Sequence, residues 1–388
     1  MSSKIYQVKG SEQRIDYLLL ILIIIMVLLG LFTVFSASAY VSGIIYKKST
    51  YFFQKQLIYA ILGFIVMYIG IRIDFYQLRT SLKAMMYGIT IMMIATYIPA
   101  LGGTVVNGAN GWLRIPGINF GFQPSELAKI ILIIFSANLL ANPAYQRLGF
   151  LQKLFTMAPI GGVVGIVVFQ PDIGNTSIIS LAVFSVYFAA GMNIPRILIV
   201  IGAMGTAITA LIFSNPYQMA RVTGFMNPWK DPQGKGFQLI QSLMAIGSGG
   251  ISGKGLGQSV QKLFYLPESH TDFIFSVFCE ESGLIGSALF MFLLFLIAQR
   301  GFSIAVRSKD VFIKLTVTGV TTMILGQALM NIGVATGVLP TTGLTLPFIS
   351  YGGTSMIVTL FCMGLLLNAS KYTNSSDWQV LEGKEDNN

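Results

Sequence analysis

Apolar runs about as long as a bilayer is thick recur along almost the whole chain, and no other feature restricts its fold so strongly. Of 388 residues, 54% are hydrophobic and 10% charged, with a mean hydropathy of +0.72. A soluble core could not hide so much apolar surface, so lipid must solvate much of it. A spanning helix needs about 20 apolar residues. Ten runs qualify, at roughly 15–37, 55–73, 82–101, 126–142, 154–170, 173–191, 195–214, 273–299, 311–339 and 353–370. The expected fold class is an all-α polytopic membrane protein of about ten transmembrane helices. One membrane domain spans 15–370, preceded by a short cytoplasmic terminus (1–14) and followed by a cytoplasmic tail (371–388) expected to lack structure.

The first run is too long for a signal peptide and reads as an uncleaved span. Most of the 25 basic residues, including Arg72, Arg79, Lys83, Arg147, Lys153, Arg300 and Arg307, fall on the side of the amino terminus. The positive-inside rule then puts both termini in the cytoplasm. No basic stripe with interleaved aromatics argues for nucleic acid; the net charge of +10 suits anchoring to anionic lipid. Cys279 and Cys362 lie inside predicted spans and read as packing thiols. Four polar insertions open on the outer side: 102–125, the turn at 170–172, the large loop 215–271, and 340–352. Function is to be sought there.

Phe264 to Glu281 holds the one histidine and four of the fifteen acidic residues. Asp272 sits where a glycine-rich loop enters an apolar helix, a place from which a carboxylate can serve as a base at a membrane surface, although the same position suits a helix cap. His270 could orient or tune it. Glu280 and Glu281 lie deeper, where ionisable groups need a cavity or a partner. Helical spacing turns Glu280 about 80° from Asp272 and Glu281 about 180°, so Glu280 is expected to share the cavity of Asp272 and Glu281 to pair elsewhere. In FQPSELAK, Glu126 and Lys129 are spaced i,i+3 on one helix face. Lys129 with Arg114 could present positive charge to a phosphate or pyrophosphate. Asp172 reads as the cap of the sixth span. Phe237, Ile240 and Met244 recur at helical spacing opposite Gln238, Gln241 and Ser242, as in a short helix lying in the membrane interface. GSGGISGKGLG departs from a Walker A motif at Ser248 and Gly255; its glycines allow either a mobile loop or close backbone approach. LPTTGLTLPFISYGGTS is irregular yet apolar and reads as a re-entrant segment lining the site, with Ser350 and Tyr351 as polar contacts. No histidine pair or other ligand spacing marks a metal site.

NGANGWLRI with FQPSELAK, QPDIGNTSIIS, NPWKDPQGKGFQLIQSL, the PESHTDFIF segment with its following CEE, and GLTLPFISYGG resemble, in order and spacing, the SEDS family, which comprises the FtsW and RodA proteins. The resemblance covers about 16–371. Thr345, where RodA-like chains tend to have proline, and the PESHTDFIF form favour the FtsW branch. Asn110 and Gly111 stand where relatives often carry basic residues.

The resemblance implies a ten-helix peptidoglycan glycosyltransferase that polymerises lipid II on the outer face of the bacterial cytoplasmic membrane during septal synthesis. It implies as partners a monofunctional class B penicillin-binding protein and other division proteins. It makes Asp272 the catalytic aspartate and carries the family's glutamate and lysine onto Glu126 and Lys129. The expected mechanism has Asp272 as general base on the acceptor's 4-hydroxyl, with Arg114, Lys129, Arg221 and Lys262 stabilising the leaving pyrophosphate. No cofactor is required; a divalent cation (Mg or Mn) is compatible. The alternatives are a lipid II flippase, a RodA-like elongation polymerase, or a non-catalytic scaffold. A flippase would be expected to show inverted repeats, and none is evident.

Overall fold

The computed structural model describes residues 5–8, 14–106, 109–114, 121–192, 195, 202, 205–206, 209–210, 212–263, 265–373 and 378–381. Most of the seventh expected span, 195–214, lies outside the described residues. The long apolar helices are α1 (Tyr17–Tyr46), α2 (Tyr51–Arg72), α5 (Pro124–Ala141), α7 (Phe150–Phe169), α11 (Ile274–Arg307), α12 (Val311–Ala335) and α13 (Gly353–Ser370). Two shorter apolar helices, α4 (Leu82–Ala95) and α8 (Ile173–Ala189), stand among them, with the short helices α3 (Phe75–Thr80) and α6 (Pro143–Gln146). The chain is thus a multi-pass membrane protein, with boundaries that differ from the expected ones. The third span ends at Ala95 rather than near 101, because Pro99 opens a separate 3₁₀ turn. By contrast, α1 runs 30 residues, or about 45 Å at 1.5 Å per residue, longer than a hydrocarbon core of about 30 Å. Its last turns therefore reach the site. Asp16 caps its start by accepting from Leu19 N (3.0 Å) and is held by Arg300 Nη2 (2.6 Å).

Between helices that lipid surrounds, small residues allow backbone approach and polar side chains act as glue. A Cβ at Gly364 would strike the Met67 carbonyl, and one at Gly63 would meet Leu360. Thus α13 packs directly along α2, and Asn368 Nδ2 pins its end to Ile73 O (2.6 Å). Similarly, Gly319 of α12 leaves room for Ile133 of α5 and Val186 of α8.

The described parts of the polar insertions are structured. β2 (Gly103–Val106), β3 (Ala109–Arg114) and β4 (Gly121–Phe122) form an antiparallel sheet. The large loop contains α9 (Pro216–Met226) and α10 (Phe237–Gly249). The expected apolar face of α10 is split: Leu239, Ile240, Ser242 and Ala245 are buried while Met244 is exposed. Ser242 Oγ binds Ser276 Oγ and Ala335 O, each at 2.6 Å, so the helix docks on α11 and α12 through the side that carries Ser242. The tail is also corrected in part, since β5 (Trp378–Leu381) pairs antiparallel with β1 (Ile5–Val8).

The segment 340–352, expected as a re-entrant turn, is irregular and packed within the protein. Leu344, Leu346, Phe348 and Ile349 are buried outside any helix, and irregular backbone at such depth must find partners within the protein. Asn331 Nδ2 donates to Leu344 O (2.7 Å), Gln327 Nε2 to Thr345 O (3.0 Å) and Gln56 Nε2 to Ser350 O (3.1 Å). The turn is received by Gly30 of α1, where a Cβ would strike the Phe348 carbonyl.

Candidate active site

All four polar insertions converge, with the α1–α2 junction, on one cavity of about 650 Å³. Trp112 and Arg114 come from β3, Asp172 from the turn before α8, Arg221 from α9, Asp272 from the approach to α11, and Thr345 and Tyr351 from the re-entrant segment.

Asp272 does not cap its helix. Phe273 is the cap residue and no side chain caps there; the Asp272 backbone carbonyl instead accepts from Asn331 Nδ2 at 2.8 Å. This leaves the carboxylate to the cavity. A Cβ at Gly343, whose φ is +77°, would lie 3.8 Å from Asp272 Oδ2 and 4.0 Å from Arg221 Nη1. Asp272 and Arg221 therefore flank Gly343. Burial and then the Glu268 carboxylate raise the Asp272 pKa to about 7, against the opposing pull of Arg221. A carboxyl group poised there can take up a proton near neutrality.

His270 does not line the cavity. Its ring packs 4.4 Å from that of Phe52 and 5.7 Å from that of Tyr351, and its carbonyl accepts from Tyr351 N at 2.9 Å. Burial pushes its imidazole pKa down, against a weaker pull from Glu268. It is a packing residue that aligns the re-entrant turn. Ser350 also faces inward: it accepts from Leu346 N (2.8 Å) and donates to Thr271 O (2.6 Å), which ties that turn to the Asp272 loop. Tyr351 lines the cavity and Ser350 does not.

The expected cations separate into two groups. Arg114 and Arg221 line the cavity; Arg221 is aimed by Tyr217, whose hydroxyl lies 2.7 Å from Nη2 and whose ring lies under the guanidinium. Lys129 and Lys262 do not line it. Lys129, 1% exposed, donates to Glu126 Oε1 (2.7 Å) and to Gln327 Oε1 (2.8 Å). Since Gln327 in turn holds Thr345, the expected Glu126–Lys129 pair forms beneath the cavity as its support. Lys262 Nζ pairs with Glu281 Oε1 at 2.7 Å and reaches Ser36 Oγ at 3.1 Å. Glu280 is likewise taken away from Asp272. It accepts from Lys254 Nζ (2.7 Å), Ser259 Oγ (2.5 Å), Val260 N (3.2 Å) and Gln261 N (3.2 Å).

Just beyond these carboxylates α11 breaks at Gly283 (φ 65°, ψ −166°), a conformation confined essentially to glycine. The glycine-rich loop fills the break: Lys254 N donates to Glu280 O (3.0 Å) and Leu284 N to Gly250 O (2.9 Å). Cβ atoms at Gly249 and Gly253 would strike the carbonyls of Cys279 and Glu281. Close backbone approach, rather than mobility, accounts for these glycines.

Asp172 is both a cap and a wall. It accepts from Asn175 N (3.0 Å) while lining the cavity. Among the described residues, no group of three or more His, Cys, Asp or Glu side chains gathers to hold a metal. The carboxylates on the cavity wall are Asp172, Glu268 and Asp272. Lys55, Tyr46, Tyr51, Tyr59, Gln123, Gln218 and Glu268 also line it and are absent from the sequence expectations. Lys55 carried a usable signal. A lysine one turn into an apolar helix is costly away from water, the same argument that singles out Lys129.

The family model described as cell cycle protein, FtsW/RodA/SpoVE, matches residues 16–375. The chain is 39% identical over 361 residues to a protein of Geobacter sulfurreducens named probable peptidoglycan glycosyltransferase FtsW, covering 92% of this chain and 95% of the relative. It is 38% identical over 363 residues to stage V sporulation protein E of Bacillus subtilis, covering 92% and 97%. Among solved structures, a chain from work on the structural coordination of polymerization and crosslinking by a peptidoglycan synthase complex superposes with a TM-score of 0.73 at 29% identity, over 93% of this chain and 98% of that one. The rod shape determining protein RodA of Thermus thermophilus gives a TM-score of 0.67 at 26% identity, over 93% and 98%. Sequence, fold and cavity agree, and the chain belongs to the FtsW/RodA/SpoVE family of cell cycle proteins, the SEDS proteins.

Proposed function

We propose that this chain is a peptidoglycan glycosyltransferase that polymerises lipid II at the outer face of the cytoplasmic membrane, in septal wall synthesis. The observation that carries the reading is the Asp272 carboxylate, unused by its own helix and facing Arg221 across Gly343. Asp272 takes the proton of an acceptor sugar's 4-hydroxyl as that oxygen attacks the anomeric carbon of the donor, with inversion. The pyrophosphate departs with the bonding electron pair. It needs positive charge more than a proton, and Arg114, Arg221 and Lys55 on the same cavity wall can supply it. The names of the curated relatives support this chemistry. The fold shared with a chain of a peptidoglycan synthase complex supports a penicillin-binding transpeptidase as working partner. If a divalent cation joins the pyrophosphate, the wall carboxylates Asp172, Glu268 and Asp272 are the side chains that could meet it.

The test is polymerisation of purified lipid II by the chain with its transpeptidase partner, comparing wild type with Asp272→Asn. A folded, inserted variant is expected to make no glycan. Wild-type-like product from that variant would remove Asp272 from the mechanism, whereas lipid movement without glycan in the wild type would replace the reading with a flippase.

A further inference from the structure

Three successive carbonyls of the loop that carries Asp272 are held by donors from elsewhere in the chain. His270 O accepts from Tyr351 N (2.9 Å), Thr271 O from Ser350 Oγ (2.6 Å) and Asp272 O from Asn331 Nδ2 (2.8 Å). The Asp272 carboxylate itself, by contrast, makes no hydrogen bond among the described residues. A side chain without a tether of its own takes its aim from its backbone. Whatever holds these carbonyls therefore holds the base.

Asn331 acts on this clamp at both ends. It holds Asp272 O directly, and its second bond, to Leu344 O (2.7 Å), fixes the re-entrant segment that supplies Ser350 and Tyr351. Gln327, one turn earlier on the same face of α12, holds the next carbonyl of that segment, Thr345 O (3.0 Å). Asn331 is 1% exposed and stands on a packed helix, a more precise support than a loop. Its amide serves as a donor only: both bonds leave from Nδ2, and Oδ1 has no partner among the described residues. An idle buried acceptor is costly. An apolar residue in the same space would avoid that cost but would leave two buried carbonyls unpaired, so the position requires the two donors.

Resting on the function proposed above, we infer that Asn331 is a positioning residue for the glycosyl transfer, setting the place of the Asp272 carboxylate by tying the base's backbone to the re-entrant segment. Asn331 lines neither the 650 Å³ cavity nor the smaller one beside it, so it acts through Asp272 and touches no substrate. Proton transfer needs the base within about 2.6–3.2 Å of the hydroxyl, and a misplacement of about 1 Å can cost roughly a hundredfold in rate.

The experiment measures polymerisation of purified lipid II by the full chain with its transpeptidase partner in proteoliposomes, per molecule of folded protein, for wild type, Asp272→Asn, Asn331→Ala and Asn331→Ser. Alanine removes both donors, and serine keeps a single donor hydrogen. Each Asn331 variant should lower kcat about ten- to a hundredfold while the KM for lipid II stays within about twofold. A loosened loop also lets water reach the carboxylate, so the rise of kcat/KM with pH should move down toward the ordinary carboxylate range. A residue that served stability alone would lower the yield of folded protein and leave the kcat and pH profile of the folded molecules unchanged. Wild-type kcat and pH profile in the folded variants, a raised KM at unchanged kcat, or loss of folded protein in both variants would overturn the assignment. Failure of the wild type to polymerise lipid II, or polymerisation by Asp272→Asn, would instead overturn the function on which it rests.

Discussion

Lys262 offers the sharpest test of the geometry, because its charge suits a phosphate contact whereas the structure places it in a buried ion pair. Its ammonium lies 2.7 Å from Glu281 Oε1, with Glu281 only 4% exposed. At an effective dielectric constant of about 20, that separation corresponds to a gross attraction of roughly 6 kcal/mol. Desolvation offsets much of it, so the pair adds little beyond what a well-packed apolar pair would. Removing one partner is different. Lys262→Met leaves Glu281 charged and buried, with the Ser36 hydroxyl as its closest donor (2.6 Å), at a cost of about 3–5 kcal/mol; the Ser36 bond argues for the lower end. Glu281→Gln in the same chain removes the stranded charge, and the double variant should return to within about 1 kcal/mol of wild type. Thermal unfolding of detergent-solubilised protein, followed by fluorescence-detected gel filtration, would read this as a fall of several degrees that the second substitution reverses. Lipid II polymerisation would be measured on the double variant. Restored stability with near-wild-type polymerisation is expected. A stable double variant that has lost polymerisation would return Lys262 to the substrate and refute the placement.

Two further outcomes follow from the site. Since the Asp272 pKa is raised to about 7, kcat/KM for polymerisation should rise with pH through about 7 and fall away below it, where the base is protonated. Glu268→Gln, by removing a neighbouring negative charge, should move that limb to lower pH; a wild-type limb near pH 4 would contradict the environment described. Gly283→Ala places a side chain at φ 65° and drives its Cβ into the Gly253 amide, so loss of more than about 3 kcal/mol and of most folded protein is expected. The control is Gly247→Ala, which enters open space in a helix and should be neutral or stabilising by up to about 1 kcal/mol. Equal yields of the two variants would refute the break in α11.

The sequence by itself determined the membrane setting, the family and which loops matter, since these rest on local properties: run length, hydropathy, and the order of motifs along the chain. Asp272, Arg114, Arg221 and Asp172 were legible for the same reason, each being a charged residue in a polar insertion at the edge of a span. The fate of the other charges was decided in three dimensions. Glu280 and Glu281 sit on one short stretch of helix, and helical geometry alone points Glu280 toward Asp272. No periodicity reveals that Gly283 breaks the helix and that Lys254 and Lys262 return from the preceding loop to claim both carboxylates. Lys129 likewise carries a charge that could serve a ligand or a neighbour, and only the position of Gln327, 198 residues away in sequence, assigns it to the neighbour. A second cavity, of about 370 Å³, shares Asp272 with the first and has no sequence signature, because it is the space left when α9, α10 and the re-entrant turn pack around one aspartate. Composition chooses the solvent of a chain like this; the partner of each buried charge depends on which backbone segments approach closely enough to reach it.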